Sequence, residues 1–272
     1  MTYQSPVQAC DFHPDTQAYF AGACVAVTGG SGFVGSHVVE QLLALGARVI
    51  VPSRQAPSPP FLAHLSDRID VRPCDFRHRS QARPSIDGAD VVMNLAASVA
   101  GIEYNATHPE TVFRDNMRTF LNVMEAALQV QARRFLVVSS ACIYPRHCLV
   151  PTPETEGFTD SPEPTNAGYG WAKRMEECAA AAAVKEHGLE VAIARPYNAY
   201  GPRDNFNPGS SHVLPALILK ADETTDGTLP VWGDGTPTRS FLYVDDFARG
   251  LIEVTARYAA ARHQARLSGL ET

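Results

Sequence analysis

Tyr169 and Lys173 stand four residues apart in the segment YGWAK. At helical spacing that puts both side chains on one face, one turn apart. An ammonium beside a phenol favours the phenolate, so the pair is expected to lower the tyrosine's pKa toward its working range. Such a phenol can give a proton to a carbonyl being reduced or take one from an alcohol being oxidised. Upstream, VVSSACIYPRH ends an apolar run with Ser139 and Ser140 and sets Cys142 two positions beyond. In extended backbone the side chains alternate, which would turn Ser140 and Cys142 to one side and Ser139 to the other. A tyrosine and a lysine at this spacing are often just a packed ring and a surface amine. Their weight here comes from lying downstream of a glycine loop, with a serine at the end of an intervening strand.

That glycine loop is VTGGSGFVGSH, between an apolar strand and an amphipathic helix. It contains Gly30-x-Gly32-x-x-Gly35 and, equally, Gly29-x-x-Gly32-x-x-Gly35. Glycines at these positions allow a tight turn, close backbone approach to a pyrophosphate, and tight helix–strand packing. The helix N-terminus beyond supplies free N–H groups and a positive dipole end. The following strand, ARVIVPSRQ, has no acidic residue at its end for a ribose 2′-hydroxyl; Ser53 and Arg54 stand there instead. A guanidinium suits a 2′-phosphate in charge and geometry, so NADP is expected, with NAD left open. Asp75 and Phe76, after the third strand, would suit an adenine amine and ring edge.

These residues need a scaffold, and the chain reads as one. CVAVTGG, ARVIVPS, ADVVMNLAA, RRFLVVSS and LEVAIARPYNAYG are strand-like. Helical runs lie between them, two of which end at Gly46 and Gly188. Continuous apolar strands alternating with helices predict an α/β fold, a doubly wound parallel sheet covered on both faces. With 45% hydrophobic and 19% charged residues over 272, a substantial core is within reach. A net charge of −6 argues against a nucleic-acid partner. The lack of a long apolar span or signal peptide points away from membranes and toward the cytoplasm. The six cysteines form no CxxC pair and no metal-like spacing, so they are expected to be reduced thiols, and no metal is expected. Residues 1–20 read as a poorly ordered extension. After Gly201, PRDNFNPGSSH and TTDGTLPVWGDGTPTRS form long, turn-rich loops of the kind that bind ligands. Within them His212, in a glycine–serine setting, is poorly explained as a core histidine.

TGGSGFVG, NLAA, VVSSACIYP, YGWAK, RPYNAYGP and RSFLYVDD, in this order and spacing, resemble the extended short-chain dehydrogenase/reductase family, the NAD-dependent epimerases and dehydratases of nucleotide sugars. The resemblance covers roughly residues 24–258. It implies a Rossmann domain over 21–198 and 240–258 and a small C-terminal substrate-binding lobe over 199–239 and 259–272. The lobe is expected to be shortened, since AAARHQARLSGLET does not match the family's usual continuation. SSACIYP, PTNAGYGWAK, GPRDNFNPGSSHVLPAL and WGDGTPTRSFLYVDD are most similar to members that epimerise C3 and C5 and reduce C4 of a GDP-4-keto-6-deoxy-hexose. Members that epimerise GDP-mannose with no net redox are the nearest alternative, and a non-catalytic cofactor-binding protein is a third.

By matched position, the resemblance makes Ser140, Tyr169 and Lys173 the reductase triad. It makes Cys142 and His212 the acid/base pair at C3 and C5. Cofactor contacts fall on Gly29, Gly32, Phe33, Val34, Gly35, Ser53, Arg54, Asp75, Phe76, Leu95, Ala96, Ala97, Tyr169, Lys173, Pro196 and Asn198. Substrate contacts fall on Asn198, His212, Val213, Lys220, Trp232 and Arg239, with Arg239 on the diphosphate. A nucleotide-diphospho-sugar is the implied partner. A homodimer through the helices near 110–130 and 170–187 is implied as well.

Overall fold

The computed structural model describes residues 3–258, apart from 100–101, 209, 226, 230–233 and 237. Six parallel strands form the main sheet: β1 (Cys24–Thr28), β2 (Arg48–Ser53), β3 (Ile69–Pro73), β4 (Val91–Asn94), β5 (Arg134–Val138) and β6 (Glu190–Ala194). Their order is β3-β2-β1-β4-β5-β6. This is the doubly wound Rossmann arrangement, with its switch point between β1 and β4, where such sheets bind ligands.

The apolar strands are explained by the alternation of their side chains. Along β1, Cys24 and Ala26 join the core on one face, while Val25 and Val27 join the core on the other. A strand buried on both faces favours apolar side chains throughout, so its sequence is a continuous apolar run rather than an alternating one. Helices α3 (Arg79–Ser85), α5 (Pro109–Gln129) and α6 (Ala167–His187) cover the first face. Helices α1 (Pro14–Phe20), α2 (Phe33–Ala44) and α8 (Val244–Arg257) cover the second. Short α4 (Ile102–Thr107) packs beside α5 and α6. Gly188 closes α6 in the left-handed conformation at φ 68°, the conformation a terminating glycine supplies without steric cost.

The N-terminal segment is not the loose extension its composition suggested. Phe12 and Phe20 are 3% and 0% exposed in the second core. Glu253 of α8 accepts from the His13 amide at 2.8 Å and from the Thr16 hydroxyl at 2.6 Å. Further upstream, Tyr3 and Ser5 donate to Asp245 at the start of α8. Two buried phenylalanines outweigh the polar residues between them, and burial of each is worth about 1.5–3 kcal/mol.

Beyond the main sheet, β7 (Asn198–Tyr200) and β8 (Phe241–Tyr243) make a small parallel pair, and α7 (Val213–Glu223) rises from the intervening loop. In α7 only Pro215 is fully buried. No described helix is long and apolar enough to cross a membrane, and no described group of side chains could hold a metal ion.

Candidate active site

At the switch point the backbone of the glycine loop leaves no room for side chains. Gly29 sits at φ +70°, and a Cβ there would come within 2.9 Å of the Leu95 carbonyl and the Ala96 nitrogen. A Cβ on Gly35 would lie 2.1 Å from the Gly29 carbonyl oxygen. Gly32 caps α2, and the helix begins at Phe33 and Val34. The Thr28 hydroxyl donates to Asn94 at 2.7 Å and accepts from the Ala96 amide at 3.1 Å, which ties the ends of β1 and β4 together. From α5, Asn116 accepts from the Ser98 amide and donates to the Ser98 carbonyl, holding the segment that follows Ala97. A cleft of about 510 Å³ opens beside the loop, lined by Ser31, Gly32, Ser53, Arg54, Gln55 and Phe61. A flat, side-chain-free cradle at a helix N-terminus, with a guanidinium at its rim, fits a dinucleotide.

Asp75 and Phe76 are placed differently from the simple expectation. The Asp75 carboxylate is clasped by Arg77, whose hydrogen bonds hold its pKa down to about 2 despite partial burial. The Phe76 ring is a core residue, so only its backbone is available to a base.

The catalytic candidates collect at the end of β5. The extended geometry does not persist to Cys142: residues Ala141–Ile143 form a 3₁₀ turn capped by Ser140, whose Oγ accepts from the Cys142 amide at 3.1 Å. It is this turn, rather than strand alternation, that brings serine and cysteine together. Ser140 also reaches the Tyr169 phenol, and Cys142 lies in the electrostatic field of both Tyr169 and Lys173. The Lys173 ammonium is 5.6 Å from the centre of the Tyr169 ring and donates to the Val138 carbonyl at 3.0 Å. Pro196 accepts from the Ala141 amide at 3.0 Å and so flanks this turn, while Asn198 donates to the Ser240 carbonyl at 3.0 Å in the small sheet.

The expected lowering of the tyrosine pKa is not what this environment gives. Burial raises the Tyr169 pKa, the Lys173 ammonium lowers it, and a carboxylate at Glu176 pushes it back up, for a net rise. Burial likewise pushes the Cys142 thiol up, partly offset by the Ser140 hydrogen bond. Lys173 would be lowered by burial, but Glu176 and Tyr169 outweigh this and hold it as an ammonium.

His212 caps the N-terminus of α7 and is largely exposed. Its charged neighbour is Asp204, 4.0 Å away, whose carboxyl is raised by burial. Val213 and Lys220 lie on the exposed side of α7. Arg239 is exposed and donates to the Thr238 carbonyl. Trp232 and residues 259–272 lie outside the described residues.

The buried carboxylates Glu176, Glu177, Asp204 and Asp245 were not anticipated. Glu177 forms a doubly hydrogen-bonded pair with Arg195, at 2.9 and 2.7 Å, which anchors the end of β6 to α6. The only trace of the first two in the sequence is a pair of adjacent glutamates before an alanine run.

Residues 25–267 match the NAD dependent epimerase/dehydratase family. The chain belongs to that family. It is 35% identical over 254 residues to a probable GDP-L-fucose synthase 1 of Oryza sativa subsp. japonica, covering 92% of this chain and 73% of that protein. It is 35% identical over 235 residues to GDP-L-fucose synthase of Escherichia coli K12, covering 85% and 68%. Among solved structures, an epimerase from Methanothermobacter thermautotrophicus superimposes with a TM-score of 0.77 at 27% identity, covering 91% of this chain and 74% of that one. The chain is thus an NAD(P)-dependent enzyme of the epimerase and reductase type.

Proposed function

We propose that the protein binds NADPH and converts a GDP-4-keto-6-deoxy-hexose by epimerisation at C3 and C5 followed by reduction at C4. The observation that carries this reading is the 3₁₀ turn after β5. It sets a cysteine two residues from the serine that reaches Tyr169, so two chemistries share one turn. The 35% identity to GDP-L-fucose synthases supports the same sugar class. Bound NADPH supplies the hydride. The chain's own residues do the rest. Ser140 donates a hydrogen bond to the C4 oxygen, and Tyr169 gives that oxygen its proton. Lys173 holds the phenol's surroundings positive and reaches toward the nicotinamide ribose. Cys142 and His212 exchange protons at C3 and C5, carbons that the C4 ketone acidifies; thiol and imidazole have reference pKa values close enough to neutral for this. Arg54 reads the 2′-phosphate. Asn198, Lys220, Trp232 and Arg239 hold the GDP moiety, with Arg239 on the diphosphate. Exposed Phe113 and Leu121 on α5 and Trp171 on α6 support a homodimer through these helices.

The test is incubation with GDP-4-keto-6-deoxy-mannose and NADPH in D₂O. Stoichiometric NADPH consumption, with deuterium at C3 and C5 of the product, is expected. Cys142→Ser should lose deuterium exchange while retaining dinucleotide binding. Absence of NADPH consumption under turnover would favour a second reading, an epimerase that restores its cofactor in each cycle. The superposition on a solved epimerase, at a TM-score of 0.77, supports that alternative.

A further inference from the structure

Helix α6 carries two neighbouring carboxylates, Glu176 and Glu177, 1% and 3% exposed. Glu177 has a structural task, since its Arg195 partner also donates to the Glu154 carbonyl at 2.7 Å and so joins three segments. Glu176 has no such partner. The cation recorded beside it among the described residues is Lys173, whose Nζ donates to Glu176 Oε2 at 2.8 Å, one turn back on the same helix. The same Nζ donates to the Val138 carbonyl at 3.0 Å, so two of its three N–H bonds are fixed from β5 and from α6. The third is left for the side where the Tyr169 ring stands, 5.6 Å away. A buried carboxylate bears a desolvation cost of several kcal/mol, and here that cost is set against the one lysine of the proton-transfer site.

We propose that Glu176 is a positioning residue for proton transfer: it clamps Lys173 between β5 and Tyr169 and offsets the lysine's charge. Tyr169 thereby remains a protonated donor to a higher pH than a tyrosine–lysine pair alone would permit. The proposal rests on the reading that Tyr169 protonates the C4 oxygen, and it adds a bias within that reading, toward giving protons rather than taking them. The sign follows from charge. An ammonium near a phenol stabilises the phenolate, and a carboxylate near both destabilises it. The groups that face Tyr169 are Ser140 and Cys142 from the turn after β5, and Lys173 and Glu176 from its own helix. Those that face Lys173 are Glu176, Tyr169 and Glu177, with the Val138 carbonyl from β5. Burial raises the Glu176 pKa and the Lys173 ammonium draws it back down; 2.8 Å from that ammonium, its carboxylate is the nearest negative charge to the pair.

The measurement is the ionisation of Tyr169 itself, read as near-ultraviolet phenolate absorbance and corrected with the matching Tyr169→Phe protein. It needs no substrate, so it decides the proposal even if the assumed sugar proves wrong. Glu176→Gln and Glu176→Met, two neutral replacements of similar size, should each lower the Tyr169 midpoint, by on the order of one pH unit. Glu176→Asp, which keeps the charge, should hold it close to the wild-type value. Melting curves establish that each variant is folded. In turnover, the alkaline fall in the reduction rate should move to lower pH by a similar amount in the neutral variants. It should stay in place in Glu176→Asp, even though kcat drops. A Tyr169 midpoint that is unchanged or raised in the neutral variants overturns the proposal, as does an aspartate variant that shifts like glutamine. A loss of keto-sugar reduction in every protein, with the midpoint shifts intact, would overturn the functional reading and leave this one standing.

Discussion

The two halves of the site are built in opposite ways. On the proposed cofactor and proton-transfer side the buried groups are interlocked: Gly35 packs against the Gly29 carbonyl, Thr28 bridges two strand ends, and Lys173 is held from β5 and α6. On the substrate side the polar groups mostly satisfy one another within a few residues. Asp204 accepts from the Asn205 amide, Asn205 from the Asn207 amide, and Asp234 from the Thr236 amide and hydroxyl. Turns closed by their own side chains are cheap to rearrange, because no distant partner is lost. The first half is therefore preorganised for a cofactor common to a whole family. The second half can vary with the sugar, and His212 lies in it.

The comparison can be broken most forcefully at the glycines. Gly35→Ala should abolish dinucleotide binding, a loss of at least about a hundred-fold in affinity by fluorescence titration, because its Cβ has nowhere to go. Gly235→Ala has open space around it and strains only a φ of +80°, so its cost should stay near 1 kcal/mol. Equal effects at the two positions would remove the contrast. Next in size is Tyr169→Phe, which should cut the rate of keto-sugar reduction by roughly 10²–10⁴ with NADPH affinity retained. Glu177→Gln leaves the buried Arg195 guanidinium without its counter-charge, and should cost about 3–5 kcal/mol in chemical denaturation.

Asp245→Asn should cost about 1–3 kcal/mol and release the N-terminal segment to protease, because Tyr3, Ser5 and His37 all bond to that carboxylate. Burial alone would raise the Asp245 pKa, but these hydrogen bonds hold it below the usual range. A carboxyl depressed in the folded state contributes stability above its unfolded pKa and loses it as pH falls through the folded one. The wild type should therefore lose stability below about pH 4 more steeply than Asp245→Asn. A modest effect is expected at exposed Arg54: Arg54→Ala should weaken NADPH by about ten-fold and leave NADH unchanged, since it would remove only a surface contact to one phosphate.

The sheet, its helices and the glycine cradle were legible because each rests on local pattern: apolar runs, helical periodicity, and glycines at a strand–helix junction. The parts that escaped depend on distance or on burial. A lysine and a glutamate three apart on a helix normally form a solvated surface pair, so nothing in YGWAKRMEE marks Glu176 as buried beneath the site. Residues 3–12 look polar and loose; their order comes from Asp245 and Glu40, met across the fold. Arg203 shows the same limit. It adopts φ 70°, and its guanidinium meets Glu40 and the Tyr3 carbonyl, anchoring the residue next to Asp204. Within the Ser140–Cys142 stretch the proximity was foreseen but the cause was not, because a 3₁₀ turn and an extended strand both bring alternate residues near each other.

That turn has a consequence for how such a site can change over time. The Ser140 oxygen that accepts from the Cys142 amide is the same atom whose hydrogen would be offered to the C4 oxygen. One hydroxyl thus sets the orientation of the reductive group and the backbone that carries the thiol. A change at Ser140 would therefore disturb both activities, whereas loss of the thiol would remove epimerisation alone: a lineage drifting from dual chemistry toward pure reduction would more readily discard the cysteine than move it. Substitutions at Ser140 should accordingly alter the product ratio as well as the rate, and a survey of variants at that position would show the two activities rising and falling together.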